Sequence, residues 1–483
     1  MSRLFPTFFM FFAVGAVATA ADSSGIIRIA CIGDRISSGI RADGRDSGSY
    51  PIKLQLMLGA GYEIRSFTVR GQISSIKYRD ELPLDVELGQ QVRQFQPHIV
   101  FVEFGSGNTP PRTPDEQLLF EHHCRMFVDS LKSIATTPRI VLLLPPPLFP
   151  NDSADTNARN LRDRAIPSIR SVAYTSGCEV INLFHFFIDR PLEFPDGFHP
   201  SPAASAAVAA RLYDVVLLRG ATPFDLISRT GFTRTRSDYY GFDCFSFTFR
   251  GREARFVQPR IAATGHPWLW RARFWGHAPQ AEIQLLERGF HLVYCDVAEL
   301  FGNDEALRTW DDFYLVLTKA GLAPKAALEG FSRGGIYMYR WAASFPGRVA
   351  CVYADAPVLD FKSWPGGKGK GQGNPELWEV FKADFGLKTE DEAMSFRGSP
   401  IDLADQIAGA GFPMLHVCGT ADVTVPIEEN TDLFERKIRT AGGEIAVIRK
   451  PGVGHHPHSL SNPQPIVDFI LRGTGQPPAS RRR

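Results

Sequence analysis

The sequence has almost no net charge and no long apolar run after its first residues. Lysine and arginine total 53 against 52 aspartates and glutamates, which gives a formal net charge of +1. A chain so balanced has no overall field that would attract nucleic acid or an anionic membrane. Because no later segment reaches the roughly 20 apolar residues that cross a bilayer, we also expect no stable membrane insertion.

Cysteine is scarce, and its spacing shows no metal-binding pattern. The seven cysteines include no Cys-x-x-Cys pair, which argues against a structural zinc site. Four of them, at positions 31, 295, 351 and 418, lie in apolar runs where buried free thiols are expected. The odd number leaves at least one thiol unpaired. We expect neither a metal ion nor a cofactor.

The first residues have the pattern of a secretory signal peptide. Arg3 precedes an apolar run from Phe8 to Val17, and small residues follow up to Ala20. The apolar run is too short for a membrane anchor. We therefore predict a signal peptide over residues 1–20 and a secreted or periplasmic protein.

The remaining chain alternates short apolar strands with helical segments, in two halves. A length of 483 residues with 44% hydrophobic content favours two domains of roughly 200–250 residues each. We predict an α/β domain over 26–219, a linker over 220–238, a second α/β domain over 239–474 and a tail over 475–483. Asp243–Arg250 and Glu253–Val257 alternate around Gly251, which predicts an antiparallel hairpin. Trp268–Trp275 is a further strand candidate.

The second half contains a candidate nucleophile, Ser332, in the run Gly330-Phe331-Ser332-Arg333-Gly334. A serine hydroxyl on a sharp strand-to-helix turn needs small neighbours two residues to either side. Lys325–Glu329 before it has the pattern of a strand, and Ile336–Ser344 after it that of a helix. The spacing therefore predicts the nucleophile turn of a serine hydrolase.

An acid and a histidine must follow such a serine in that order along the chain. Asp422 comes after the predicted strand Pro413–Gly419 and is our candidate acid, although Asp355 and Asp360 after the preceding strand are alternatives. These candidates follow the carboxyl ends of two predicted parallel strands, and the active site of a parallel sheet lies at that edge.

The candidate base is His455, which follows Gly452-Val453-Gly454 after the next strand. His456 is the alternative base, and one of the remaining histidines of the run is expected to shape the pocket. For the oxyanion hole we predict the backbone N–H of Arg333 and a second one near Trp275 or Gly276.

This half resembles the α/β-hydrolase superfamily, in particular its prolyl-oligopeptidase-like and carbohydrate-esterase branches. The resemblance covers 238–473 and implies an α/β-hydrolase sheet and a Ser-His-Asp triad. It constrains the chemistry more closely than the substrate.

The first half resembles the GDSL, or SGNH, family of esterases over 26–219, which implies a flavodoxin-like, three-layer αβα domain. Asp196 and His199 match that family's acid and base. Arg35, however, stands where the family has its serine, and Gly107 where it has an oxyanion asparagine. Gly71 matches the oxyanion glycine.

A base and its acid without a nucleophile cannot carry out covalent acyl transfer. Ser37 and Ser38 come after the turn that would present a hydroxyl. The resemblance therefore predicts a degenerate first domain that is structural or binds a glycan.

Candidate substrate contacts follow the strand that contains Cys351. Trp364 lies in a Gly-rich segment where α/β-hydrolases place lids, so we predict a flexible excursion there. Trp364 is suited to stack on a sugar, and Lys368 to meet an acidic group.

The predicted function is a secreted serine esterase that removes acyl or methyl groups from a polysaccharide, acting on an ester-bearing carbohydrate or another small ester. One alternative is a peptidase of the prolyl-oligopeptidase type, although the first half shows no repeat that would form a propeller. The other is a glycan-binding pseudoenzyme. The sequence does not determine the oligomeric state.

Overall fold

The computed structural model describes residues 25–33, 35–38, 48–68, 87–105, 110–150, 155–217 and 224–476. The predicted signal peptide lies outside the described residues, as do Gly71 and Gly107. Fourteen strands are present within the described residues: Ile27–Gly33 (β1), Tyr62–Thr68 (β2), Ile99–Glu103 (β3), Arg139–Leu144 (β4), Glu179–Asn182 (β5), Arg234–Tyr239 (β6), Phe242–Phe249 (β7), Arg252–Gln258 (β8), Trp268–Arg271 (β9), His291–Cys295 (β10), Ala326–Phe331 (β11), Val349–Asp355 (β12), Met414–Gly419 (β13) and Ile445–Lys450 (β14).

The helices lie mostly between successive strands. The α-helices described are Arg35–Ser38 (α1), Tyr50–Leu58 (α2), Glu87–Phe95 (α3), Pro114–Lys132 (α4), Thr156–Asn160 (α5), Ile166–Ser176 (α6), Leu183–Phe187 (α7), Pro202–Leu217 (α8), Leu226–Thr230 (α9), Gln280–Leu286 (α10), Asp304–Lys319 (α11), Gly334–Ser344 (α12), Pro375–Asp384 (α13), Glu390–Ser395 (α14), Ala404–Gly409 (α15), Thr431–Thr440 (α16) and Gln464–Gly473 (α17). A π-helical turn, Leu161–Ala165, joins α5 to α6, and 3-10 turns occur at Pro191–Glu193, Ala298–Leu300 and Pro346–Arg348.

The first sheet has five parallel strands in the order β2-β1-β3-β4-β5. This is the strand order of flavodoxin-like folds, so the predicted fold class of the first half is confirmed. Its central strands are buried on both faces, as a parallel sheet covered by helices requires. The strand order reverses between β1 and β3, and Arg35 follows the first of these strands.

The second sheet has nine strands in the order β14-β13-β12-β11-β9-β10-β8-β7-β6. Strands β6, β7, β8 and β10 pair antiparallel, and the pairs from β10 to β14 are parallel. The predicted β7–β8 hairpin is present. The order reverses at β9, because one of its neighbours is β10 and the other is β11. Ligands of such sheets bind at the carboxyl ends of strands where the order reverses.

Two sequence-based boundaries differ from the structure. Arg234–Tyr239, within the predicted linker, is the edge strand β6, because its backbone pairs with β7. The strand predicted over Trp268–Trp275 ends at Arg271. There the Arg271 side chain binds the carbonyl oxygens of the following residues and bends the chain away from the sheet.

The two halves contact each other through buried groups. Glu287 accepts a hydrogen bond from the backbone N–H of Asn182 at 2.7 Å and forms a buried ion pair with Arg211. One apolar cluster includes Val180 of the first sheet and Tyr239 of the second. We infer that the halves are held together by a shared core as well as by the chain connection.

All seven cysteines are buried free thiols. None of the described helices is long and apolar enough to cross a membrane.

We expect the free energy of unfolding to fall as the pH drops below about 6.5. Burial lowers the pKa of His291 and His416 to about 3, so both are neutral in the folded protein. Since the unfolded chain takes up protons at its ordinary pKa, their stabilisation is present above that value and is lost as the pH falls. The expected loss at pH 5 is about 2 kcal/mol for each histidine.

Urea denaturation at pH 7.5 and pH 5 measures this loss. His291→Phe should reduce it by about 2 kcal/mol, because one buried titrating group is removed. His122→Phe, at an exposed position of α4, is the control and should leave it unchanged. If wild type and His291→Phe lose the same free energy of unfolding between pH 7.5 and pH 5, His291 is not the buried titrating group.

Candidate active site

Ser332 lies on a strained turn between β11 and α12. Its φ angle is +49°, in the left-handed region that non-glycine residues seldom occupy. Its backbone N–H donates to the carbonyl oxygen of Asp355 at 2.8 Å, and its own carbonyl oxygen accepts from Gly335 and Val358. Neighbouring strand and loop backbone therefore fixes the turn that exposes the hydroxyl.

Close packing around the turn requires glycine at two positions. A Cβ atom on Gly330 would lie 2.6 Å from the Met338 sulfur and 2.8 Å from the Gly334 carbonyl oxygen. A Cβ on Gly335 would lie 2.6 Å from the Pro357 Cβ. Gly334 has ordinary clearance instead, with its nearest neighbour at 3.5 Å. The spacing in the sequence thus identified the turn, but the crowded positions are Gly330 and Gly335.

Ser332, His455 and Asp422 form one hydrogen-bonded chain. The Ser332 hydroxyl lies 3.0 Å from His455 Nε2, and His455 Nδ1 lies 2.7 Å from Asp422 Oδ2. The other Asp422 oxygen accepts from the backbone N–H groups of Thr424 at 2.9 Å and Val425 at 2.8 Å. These bonds hold the carboxylate so that its free oxygen orients the imidazole toward Ser332.

The alternative acids have other partners. Asp355 accepts from His458 Nδ1 at 2.7 Å, and Asp360 accepts from the backbone N–H of Lys362 at 2.9 Å. His456 lies beside His455, with 5.1 Å between ring centroids, and makes no hydrogen bond to Ser332 within the described residues. Burial and the neighbouring histidines lower the pKa of His456.

Two backbone amides near the turn are candidates for an oxyanion hole. Arg333 directly follows Ser332, and none of the hydrogen bonds described for the loops and turns uses its N–H. The loop after β9 approaches the turn at Arg273, whose N and Cβ lie 3.8 and 3.7 Å from the position of a Cβ on Gly334. Trp275 and Gly276, which the sequence suggested, come later in this loop. Trp275 packs away from the turn, against Tyr239 with 5.1 Å between ring centroids.

A buried arginine, Arg271, holds this loop and the turn together. Its Nε donates to the carbonyl oxygen of Arg273 at 2.7 Å, and its Nη2 donates to the carbonyl oxygens of Phe274 and His277. On the other side, Nη1 lies 2.9 Å from Glu282 and 3.2 Å from Glu329.

One of the two carboxyl groups beside Arg271 has a shifted pKa. Burial and the adjacent Glu282 carboxylate raise the pKa of Glu329 well above its ordinary value. The shift favours the neutral, protonated form of Glu329 beside the Arg271–Glu282 ion pair. Tyr239 also donates its hydroxyl to Glu282.

Arg333 and Trp364 form one wall beside Ser332. The Arg333 guanidinium lies 5.5 Å from the Trp364 ring centroid and 5.3 Å from that of Phe301. The segment around Trp364, expected to be a flexible excursion, is packed. Its residues join an aromatic cluster centred on Phe361 and Phe381, whose ring centroids are 4.3 Å apart.

The predicted substrate contact Lys368 is engaged elsewhere. Its ammonium lies 2.5 Å from a Glu390 carboxylate oxygen and 5.5 Å from the Trp378 ring centroid. The sequence could not reveal this partner, because Glu390 lies on a separate helix.

In the first half, Asp196 and His199 form a second acid–base pair, for which the described residues provide no serine partner. His199 Nδ1 lies 2.6 Å from Asp196 Oδ2. Burial acts to raise the pKa of Asp196, but hydrogen bonds from the backbone and side chain of His199 outweigh it and lower the value to about 2. Ser37 is buried, 3.3 Å from the Tyr50 hydroxyl, and does not contact His199. Arg35 begins α1; its side chain is not among the described groups.

Sequence reasoning missed several residues that build the site: Arg271, Arg273, His277 and the Asp355–His458 pair. The sequence contains little that would have identified them. Arg271 and Arg273 lie in an apolar, aromatic run that predicts only a strand. A single sequence also gives no information that Asp355 contacts His458. Within the described residues, one group has metal-binding character, formed by His277, His456 and His458.

Three comparisons place this chain among known proteins. Residues 31–207 match the GDSL-like lipase/acylhydrolase family, so the first half carries a GDSL-like domain. An acetylxylan esterase of Xylanibacter ruminicola is 25% identical over 208 residues, which are 39% of this chain and 43% of that protein. This chain thus spans less than half the length of that relative.

Two solved structures match this chain at lower sequence identity. An S-formylglutathione hydrolase from Agrobacterium tumefaciens is 15% identical with a TM-score of 0.38, over 50% of this chain and 98% of that one. Dipeptidyl peptidase 4 of Porphyromonas gingivalis is 14% identical with a TM-score of 0.37, over 50% and 35%.

The charge assignment around Arg271 predicts unequal effects of substitution. Arg271→Met leaves the Glu282 carboxylate buried without a cation and should lower the free energy of unfolding by about 3–5 kcal/mol. Glu329→Gln should cost less than about 1 kcal/mol, because the amide replaces a neutral acid of the same shape. Urea denaturation measures both.

Arg252→Met is the control for loss of an arginine. Arg252 pairs with the exposed acids Glu299 and Glu305, so its replacement should cost about 1 kcal/mol or less. A Glu329→Gln protein as unstable as Arg271→Met would show that Glu329 is ionised.

Proposed function

We propose that this chain is a secreted serine esterase whose working site is Ser332, His455 and Asp422. The observation that supports it is the continuous chain of hydrogen bonds from the Ser332 hydroxyl through His455 to Asp422, at 3.0 and 2.7 Å. Ser332 also has the strained backbone of a nucleophile turn.

The proposed reaction follows from these contacts. His455 Nε2 takes the proton as Ser332 Oγ attacks the ester carbonyl carbon, and Asp422 stabilises the imidazolium that forms. The N–H groups of Arg333 and Arg273 donate to the carbonyl oxygen as it becomes negative. His455 then gives the proton to the departing alcohol, and an acyl-enzyme remains. Water, deprotonated by His455, hydrolyses it and restores Ser332.

The proposed substrate is a polysaccharide that carries acyl or methyl ester groups. The similar protein from Xylanibacter ruminicola is an acetylxylan esterase, and the first half is a GDSL-like acylhydrolase domain. The signal-peptide pattern supports an extracellular substrate. We propose that Trp364, next to Arg333, contacts the sugar.

The charge around Ser332 favours a substrate with a nearby acidic group. Arg333 and Arg273 make no ion pair within the described residues, and the Nε atoms of both are buried without a hydrogen-bond partner. Asp296 acts on Arg333 only at longer range. A carboxylate next to the ester, as on a uronic acid, would satisfy these donors.

We propose that the first domain does not hydrolyse esters. Its Asp196–His199 pair has no described serine partner, and the family's serine position is Arg35. A structural or glycan-binding role remains for this domain, and it contributes part of the shared core.

Removal of the Ser332 hydroxyl should abolish ester hydrolysis. Ser332→Ala is expected to lower kcat for p-nitrophenyl acetate by at least about 10⁴-fold, because no nucleophile remains. His199→Ala is the matched control, as it removes the base of the other acid–base pair, and it should leave kcat unchanged. Wild-type rates in Ser332→Ala would move the chemistry elsewhere.

The same assay separates the two alternatives. Cleavage of proline-containing peptides without ester hydrolysis would favour a peptidase. A folded wild-type protein that hydrolyses neither substrate and binds glycans would favour a pseudoenzyme.

The proposed acidic substrate gives a second prediction. Acetylated oligosaccharides with a uronic acid should be hydrolysed with a higher kcat/KM than neutral ones. Arg333→Gln keeps the backbone N–H and should reduce this preference by about tenfold to a hundredfold, the effect of one charged hydrogen bond.

Lys368→Gln is the control, since that lysine is paired with Glu390. It should leave the preference intact. If Arg333→Gln and wild type discriminate equally, Arg333 does not contact the acidic group.

A further inference from the structure

Three histidines converge beside the triad without taking part in it. His277 comes from the loop after β9, whereas His456 and His458 come from the loop after β14. Each offers a ring nitrogen within 4.8 Å of the other two. The ring centroids of His456 and His458 are 4.7 Å apart. The His277 centroid lies 5.9 Å from that of His456 and 5.5 Å from that of His458.

His458 is held as a metal-binding histidine is held. Its Nδ1–H donates to Asp355 Oδ1 at 2.7 Å, and both residues are buried. The other Asp355 oxygen accepts from the Tyr353 hydroxyl and the Ser459 backbone N–H. These contacts fix the orientation of the ring, with Nδ1 toward Asp355 and Nε2 on the opposite side, and a carboxylate behind a histidine is the usual outer partner in zinc sites.

The other two rings are free to adjust. His277 and His456 are exposed, and neither ring makes a hydrogen bond within the described chain. Arg271 fixes the backbone of His277 through its carbonyl oxygen at 2.7 Å. A Zn–N length of about 2.1 Å requires nitrogens roughly 3.4 Å apart, so small rotations of these two side chains complete the geometry.

We propose that His277, His456 and His458 bind one divalent transition-metal ion, with Zn²⁺ as the expected ligand and Asp355 as the carboxylate that orients His458. Three neutral imidazoles suit zinc better than calcium or magnesium, which prefer oxygen. Because His277 and His456 are exposed, the ion would be reachable from solvent.

The site has a consequence for the triad, and this part rests on the proposed esterase function. The His455 ring is 5.1 Å from His456 and 4.9 Å from His458, between centroids. An ion bound to these rings would lie beside the His455 ring, which contacts the Ser332 hydroxyl at 3.0 Å, and would narrow the space that the ester needs there. Bound Zn²⁺ should therefore inhibit ester hydrolysis.

Metal binding is tested directly on the full-length protein after chelator treatment. Calorimetric titration with Zn²⁺ and visible absorption with Co²⁺ should show one ion per chain in a tetrahedral site. His277→Ala and His456→Ala should each lower the affinity by at least about tenfold, and Asp355→Asn by about 10- to 100-fold.

The control is the double variant His122→Ala with His123→Ala, which removes two adjacent histidines of α4 whose rings are 6.0 Å apart. It should bind Zn²⁺ like wild type. Loss of the ion in this control, or equal affinity in wild type, His277→Ala and His456→Ala, would overturn the site.

Ser332→Ala separates this inference from the proposed function. It should bind Zn²⁺ with wild-type affinity whether or not the protein hydrolyses esters. In an active protein, one equivalent of bound Zn²⁺ should lower kcat in wild type but not in His277→Ala at the same concentration. Inhibition of both to the same extent would show that Zn²⁺ inhibits at another site.

Discussion

The active-site edge of the second domain depends on a buried arginine. Arg271 donates four hydrogen bonds, three to backbone carbonyl oxygens of the following loop and one to Glu282, and its Nη1 also lies 3.2 Å from Glu329. Glu329 immediately precedes Gly330, so the same guanidinium reaches the nucleophile turn and the loop that carries Arg273 and His277. A lysine could not join these parts, because it has no planar fork of donors.

Asp355, at the end of β12, contacts both the turn at Ser332 and the histidine cluster. The Asp355 carbonyl oxygen binds the N–H of Ser332, while its carboxylate binds His458. Two Asp–His pairs therefore lie side by side: Asp422 orients His455 toward the serine, and Asp355 orients His458 toward the histidine cluster. The two pairs differ in the direction of the second ring nitrogen, Nε2. In His455 it contacts the Ser332 hydroxyl, as a base would, whereas we propose that His458 uses it to bind a metal ion.

The two halves retain different parts of the same chemistry. The first half keeps an acid–base pair in Asp196 and His199, and the second has a full chain of serine, histidine and aspartate. The halves also share buried contacts, including the Arg211–Glu287 pair. Removal of either partner would leave a buried charge without its counter-ion, so we expect this contact between the halves to tolerate no single substitution.

The sequence by itself determined the features that depend on local chain geometry. Strand and helix positions, the β7–β8 hairpin and the turn at Ser332 follow from residue periodicity and from glycines in a crowded turn. The order of serine, acid and histidine narrowed the triad to a few residues. It left Asp355 and Asp360 open beside Asp422, and His456 beside His455, since each lies after a strand at the same edge.

Only the tertiary structure shows which of these side chains meet, because the contacts join residues far apart in the chain. Packing pairs Asp355 with His458, pairs Lys368 with Glu390 and brings Arg273 rather than Trp275 next to the turn. It also places Arg271 where one side chain holds the loop and the turn together. Periodicity and spacing carry no information about such pairings, which depend on how the strand ends and loops meet.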